Sequence, residues 1–265
     1  MKRRQFIKFA QLSACSAIAS NIIFAGNHST AQTANQLTIQ WLGHTCFYFT
    51  GGGLRVLVNP FKPFKQTGCT IGYRNPKIDT QLVLISSRLL DEGSIDGFTG
   101  DPILLHESGV YQFNDTQIQG IRTFKDRQQG QRLGTNIAWL WKQAGIKILH
   151  LGGLAGPIQD EERYLIGRPD VMLIPVGGGK KSYTPQEAKE IIRFLNPKVV
   201  IPTHYKTQAA DEATCDLASV EPFLQVMEGN TIRQLPGDTL TLTSEGLPQQ
   251  GTTVEVLTYN FASAV

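Results

Sequence analysis

Nine short apolar or alternating runs follow one another between Leu37 and Leu149, and this succession constrains the fold more than any other feature of the chain. They cover residues 37–41, 46–50, 54–58, 82–85, 103–105, 109–113, 117–121, 137–141 and 146–149, with most of the gaps two to eight residues long. Runs of that length, punctuated by glycine or Asn-Asp, predict strands in a meandering antiparallel sheet. Gly51-Gly52-Gly53 predicts a tight hairpin between the second and third.

The second half changes character. A strand over 171–175 leads through Gly177-Gly178-Gly179 to the clearest helical signal, over 185–195. Thr184 supplies an N-cap, Glu187 completes a capping box, and Pro185 sits at the first helical position. Ala188, Ile191, Ile192 and Leu195 form one apolar stripe, and Pro197 closes the helix. A short strand over 198–202 follows, then a second helix over 218–227 and strands over 231–234, 239–242 and 254–258. Neither an internal repeat nor a long linker interrupts residues 35–265, which read as one domain.

Residues 1–34 read differently. A basic start precedes an interrupted apolar stretch and small residues around Ala31 and Ala34, the anatomy of an export signal. Arg3-Arg4 followed by Gln5-Phe6-Ile7-Lys8 resembles the twin-arginine motif, which implies a periplasmic or thylakoid-lumen destination. Leu12-Ser13-Ala14-Cys15 resembles a lipobox, so contact with a membrane is expected only through the signal or a lipid at Cys15. The leader holds four of the 25 bases and none of the 22 acids, leaving 25 − 4 = 21 bases and a mature charge near −1. That balance argues against nucleic acid as a partner and leaves a small-molecule ligand or a protein. Cys46, Cys69 and Cys215 remain, and their spacing does not choose a disulfide pair.

Histidines are sparse, and three of them, His44, His150 and His204, follow apolar strands, where side chains reach a cleft edge. IQWLGHTCFYF with Gly51 and LVNPF, then GIRTFKDRQQGQRLGTN, ILHLGGLAGPI, DVMLIPVGGG and NPKVVIPTHYKT, resemble in order the signature segments of one family. It is the metallo-β-lactamase superfamily, in the branch of zinc-dependent hydrolases related to ascorbate-6-phosphate lactonase. The resemblance covers nearly all of residues 37–208. It implies an α+β fold, a four-layer αβ/βα sandwich with a metal cleft along one edge.

Carried over position by position, the resemblance meets departures. Active members place HxHxDH after the strand that ends here at Ile85, and the aligned residues are Ser87, Leu89, Asp91 and Glu92. Lys125 stands at a further histidine position, Gly153 at that of a bridging aspartate, and His204 at a histidine; Asn59 replaces a supporting aspartate. Serine is a poor zinc ligand, leucine is none, and an ammonium repels a cation, so the three-histidine half of the site is expected to be empty.

Asp91, Glu92 and His204 remain as a residual site for one divalent metal, zinc or manganese. In the competing account the Lys125 ammonium sits between Asp91 and Glu92 and no metal binds, because a buried carboxylate without a cation is costly. His44, Asn59, Ser87, Leu89, Lys125, His150 and Gly153 are expected to line the cleft. The leading expectation is an exported protein whose dinuclear zinc site is largely lost, non-hydrolytic, with a binding or accessory role. The alternative is a single-metal hydrolase of lactones, phosphorylated sugars or phosphodiesters, with His150 or Lys125 assisting acid–base chemistry. A third possibility is Ser87 as a nucleophile beside Lys125.

Overall fold

A computed structural model describes residues 35–96 and 100–261; the export leader expected over 1–34, with Cys15, lies outside the described residues. The strands are β1 (Gln36–Gly43), β2 (Cys46–Gly51), β3 (Leu54–Val58), β4 (Leu82–Leu84), β5 (Ile103–Leu105), β6 (Gly109–Phe113) and β7 (Thr116–Phe124). They continue with β8 (Thr135–Gln143), β9 (Ile146–His150), β10 (Val171–Pro175), β11 (Val199–Thr203), β12 (Thr231–Gln234), β13 (Thr239–Thr243) and β14 (Thr253–Val256). Helices α1 (Asp160–Ile166), α2 (Pro185–Leu195) and α3 (Glu221–Val226), with one 3₁₀ turn over Lys65–Thr67, complete the described elements.

The strands form two sheets, ordered β13-β1-β2-β3-β4-β5 and β12-β14-β11-β10-β9-β8-β7-β6. Strand β1 alternates strictly, burying Leu37, Ile39 and Trp41 and turning Thr38 and Gln40 outward, as a sheet with one covered face requires. The sheets meet through side chains such as Phe49 of β2, whose ring stands edge-on to Trp141 of β8 at 5.0 Å between centroids. An α+β sandwich results, its outer helical layers reduced to three short helices among the described residues.

The expected antiparallel meander holds for β1–β2–β3 and for β6–β7–β8–β9. It fails at β3, β4 and β5, which are parallel neighbours, and the second half adds a further parallel set, β9, β10, β11, β14 and β12. The reason lies in burial and connection length. Strands β4, β10 and β11 are buried at every residue, the pattern of strands covered on both faces, and the long stretches between them leave room for crossovers.

Helix α2 forms as its caps predict, with Thr184 accepting from the Glu187 amide and Asn196 closing the helix in a left-handed conformation at φ 50°. Helix α3 is shorter than expected, and α1 has no counterpart in the sequence reading. Only Ile166 of α1 is buried, so no apolar stripe marked it, although Gln159 and Glu162 form a capping box. Cys69 and Cys215, separated by 146 residues, form a disulfide, while Cys46 is free and buried.

Candidate metal centre

The strands that carry the resemblance end at one edge of the sandwich, and the chain turns sharply there. His44 after β1, Asn59 after β3 and His204 after β11 all adopt left-handed backbone, with φ of 54°, 50° and 53°. Such conformations cost roughly 1–3 kcal/mol each in a non-glycine residue, and they concentrate where a side chain must be aimed. Here they bring the two imidazoles together, ring centroids 4.3 Å apart at 70°. Asn59 fixes the frame: its Oδ1 accepts from the Ser86 amide at 2.8 Å, tying the exit of β3 to the exit of β4.

The turn after β4 delivers Asp91 and Glu92 to this edge, both buried. Each carboxylate already has a cation. The Lys125 ammonium, fully buried, donates to Glu92 Oε2 and, at 2.9 Å, to the Gly153 carbonyl. The Lys181 ammonium donates to Asp91 Oδ2. Lys125 therefore does not sit between the two acids as the sequence suggested; it serves Glu92, and a second lysine serves Asp91. Burial alone would raise the Asp91 carboxyl, but the nearby His44 imidazole and the Lys181 ammonium hold it well below the usual range. Burial would lower the Lys181 ammonium, and the charges of Asp91, Glu92 and Asp216 more than reverse that.

Gly153 explains how Glu92 fits. A Cβ there would lie 1.7 Å from Glu92 Oε1 and 2.8 Å from His204 Cε1, so no side chain can share the space. The Glu92 carboxylate fills room beside the Gly153 backbone, the position at which the resemblance places an aspartate. Glu92, Lys125 and Gly153 thus form one interlocked unit.

The unit leaves several polar atoms without partners. His44 Nδ1 and Nε2, His204 Nδ1, Asp91 Oδ1 and Glu92 Oε1 are all buried and unbonded among the described residues. His204 Nδ1 lies 3.9 Å from Glu92 Oε1, and His44 Nε2 lies 3.8 Å from Asp91 Oδ2. One ligand atom each from His44, Glu92 and His204 falls within a 4.8 Å circle, close enough to converge on a single ion or a small polar molecule. His204 is held neutral: burial depresses its imidazolium, and the charges of His44, Lys181 and Lys125 add to that. A neutral imidazole is the form that can ligate a metal. This cluster contains His44 where the set read from sequence had Asp91, whose Oδ2 is held by Lys181.

Other expected residues take different places. His150 does not line an open cleft: it is fully buried, its Nε2 hydrogen-bonded to the Thr45 carbonyl at 3.1 Å and its Nδ1 accepting from the Gly152 amide at 3.1 Å. Burial pushes its pKa down to about 3, with the Thr45 contact opposing. With both nitrogens committed to backbone it braces the β9 exit and has no free site for acid–base work. Ser87 Oγ accepts from the Leu89 amide at 3.2 Å, and no hydrogen bond joins it to Lys125, so the proposed nucleophile has no base. Leu89 is 40% exposed, whereas both acids are buried.

Lys181 is the residue that sequence reading missed. It lies in the loop after β10, and Arg127 clamps that loop by pairing with Glu187 at 2.7 and 2.6 Å while donating to the Gly179 and Ser182 carbonyls. Asp126 shapes the other side, accepting from the amides of Gln128, Gly130, Arg132 and Leu133. The signal was a lysine pair directly after a glycine-rich strand exit, a place where loops line clefts.

Residues 38–204 match the beta-lactamase superfamily domain. The chain belongs to that superfamily. A UPF0173 metal-dependent hydrolase of Caldivirga maquilingensis is 27% identical over 234 residues, covering 77% of this chain and 97% of its own. A UPF0173 metal-dependent hydrolase of Thermoplasma acidophilum is 28% identical over 198 residues, 64% of this chain and 84% of its own. The solved structure of a metallo-β-lactamase superfamily protein from Thermotoga maritima aligns with TM-score 0.66 at 28% identity, over 84% of this chain and 100% of that one. The sandwich expected from the resemblance is therefore the superfamily's metallo-β-lactamase fold, and Asp91, Glu92 and Lys125 stand at positions where that resemblance places metal ligands.

Proposed function

We propose that this member of the metallo-β-lactamase superfamily no longer assembles a dinuclear zinc cluster and acts without hydrolysis, in a binding or accessory role after export. One observation carries the reading: each acid at the metal edge is already neutralised by a lysine ammonium, one of them fully buried. Two carboxylates and two ammoniums sum to zero, so a divalent ion would enter a neutral pocket against two like charges. At about 4 Å and an effective dielectric near 20, two unit charges interact by about 4 kcal/mol, and a divalent ion feels about twice that from each charge, so each ammonium offsets the attraction of the carboxylate it is paired with. The residues aligned with the three-histidine half, Ser87, Leu89 and Lys125, supply no imidazole to offset that. A dinuclear cluster does not fit this donor set.

Export by the twin-arginine route, to a periplasm or thylakoid lumen, belongs to the same reading. The Cys69–Cys215 disulfide supports it, since such bonds persist in oxidising compartments.

The test is metal analysis of the purified mature chain after a chelator wash. Less than a tenth of an equivalent of zinc, manganese or iron is expected. One equivalent retained through the wash would overturn the reading.

The unpaired atoms of His44, Glu92 and His204 favour a second reading, a hydrolase with one metal. Those three side chains would hold the ion, with Asp91 Oδ1 nearby, and a divalent ion there would acidify a bound water. The relatives' description as metal-dependent hydrolases speaks for it, and the resemblance points to lactones, phosphorylated sugars or phosphodiesters as substrates. Competition for zinc against a chromophoric chelator decides: this reading requires tight zinc binding that His44→Ala and His204→Ala each weaken at least tenfold.

A further inference from the structure

Beside the turn that carries Asp91 and Glu92 lies a cavity of about 610 Å³ whose lining includes Ser87 and Leu89 but none of His44, Asp91, Glu92, Lys125, Lys181 and His204. Its walls are the exit of β4, the corner joining β5 to β6, and the adjoining part of β7 and β8. A volume in the range of roughly 300–1,000 Å³ accommodates a small organic ligand.

The lining is chemically lopsided. Arg88 and Arg122 both border it, and the only carboxylate in its lining is Glu107. Arg122 projects from β7, and its guanidinium has no ion-pair or hydrogen-bond partner among the described residues. Arg88 donates toward His106 Nδ1 at 3.3 Å, and Glu107 Oε1 stands 3.7 Å from Arg88. Glu107 is 71% exposed at its side chain, so its hold on Arg88 is a solvent-screened contact worth little. Leu89, Leu133 and Ile137 supply an apolar face to the same space.

We propose that this cavity binds a small organic oxyanion, a carboxylate or phosphate ester with an apolar body, through Arg88 and Arg122. Guanidinium groups match such anions with paired donors, and the leucine and isoleucine side chains take the hydrocarbon part. The proposal names a ligand class for the binding role put forward above and rests on that reading for its biological use. The cavity's chemistry requires no metal.

Calorimetric titration of the mature chain with phenyl phosphate, benzoate and benzyl alcohol tests it. At least one of the two anions is expected to bind with Kd below 1 mM, as an order of magnitude, and the neutral alcohol at least tenfold more weakly. Binding by phenyl phosphate alone assigns the site to phosphate esters, and binding by benzoate alone to carboxylates. Arg122→Gln, at an exposed position that the fold does not need, is expected to weaken the bound anion tenfold or more, and Arg88→Gln likewise. Failure of both anions to bind, equal binding of benzyl alcohol, or affinity unchanged in both variants would overturn the proposal. The metal content of the same samples keeps the two readings apart: a stoichiometric metal together with arginine-dependent anion binding would sink the metal-free reading and leave this one standing.

Discussion

Glu92, Lys125 and Gly153 are far apart in sequence and inseparable in the structure. The Glu92 carboxylate has one oxygen on Lys125 and the other where a Gly153 side chain would start. Removing one member of a buried ion pair strands the other charge, at a typical cost of about 3–5 kcal/mol, whereas replacing both partners together is often close to neutral. Lys125→Met should therefore lower the unfolding free energy by about that amount, and adding Glu92→Leu should recover most of the loss, as read from urea unfolding curves. Equal destabilisation in the single and double variants would show that Lys125 acts otherwise. Gly153→Ala should likewise cost more than about 2 kcal/mol, because its new Cβ meets a carboxylate that Lys125 holds in place; the same substitution in a Glu92→Ala background should cost less. The sequence put Asp91, Glu92 and Lys125 in one cleft by resemblance, but it could not apportion them. Which acid a lysine reaches depends on the direction of its loop, and Lys181 escaped notice because nothing in Gly-Gly-Gly-Lys-Lys says which lysine turns inward.

At the scale of elements, legibility followed local chemistry. Helix α2 was readable because its N-cap, its first-turn proline and its apolar stripe are all short-range signals. The parallel pairing of β3–β4–β5 was not readable from strand patterns, since parallel and antiparallel neighbours can share one composition and differ only in how the chain returns. Helix α2 also matters to the metal edge, because Glu187 both completes its cap and holds Arg127 across the Lys181 loop. Thr184→Ala removes the hydroxyl that accepts from the Glu187 amide and should cost about 1 kcal/mol, measured by thermal or urea unfolding. Arg127→Ala should do something different. Its global cost should be small, because the Arg127–Glu187 pair is about one-third exposed, but the loop from Gly177 to Ser182 loses two of its ties. Faster amide hydrogen exchange confined to that loop is the expected signature, and uniform exchange across the whole sandwich would refute it.

The whole molecule is sensitive to acid for a reason visible in its buried imidazoles. In the unfolded chain His150 titrates near 6.5, whereas in the fold burial pushes it down to about 3. Above pH ~6.5 the group is neutral in both states and contributes no pH dependence. Between pH ~6.5 and about 3 the unfolded chain binds a proton that the folded chain refuses, so stability falls as pH falls. The slope approaches about 1.4 kcal/mol per pH unit for each such histidine. His204, depressed in the same direction, adds a second slope over the upper part of that window, and Asp91, whose carboxyl is depressed instead, enters only below the ordinary carboxylate range. From pH 6.5 to pH 5 the His150 contribution alone amounts to about 2 kcal/mol. His150→Gln removes that titration, so urea unfolding at pH 7.5 and pH 5 should show the wild-type difference shrinking by about 2 kcal/mol in the variant. The remainder belongs to His204. An unchanged difference would mean that His150 gains a proton without unfolding, and that its two backbone hydrogen bonds do not fix it in the neutral form.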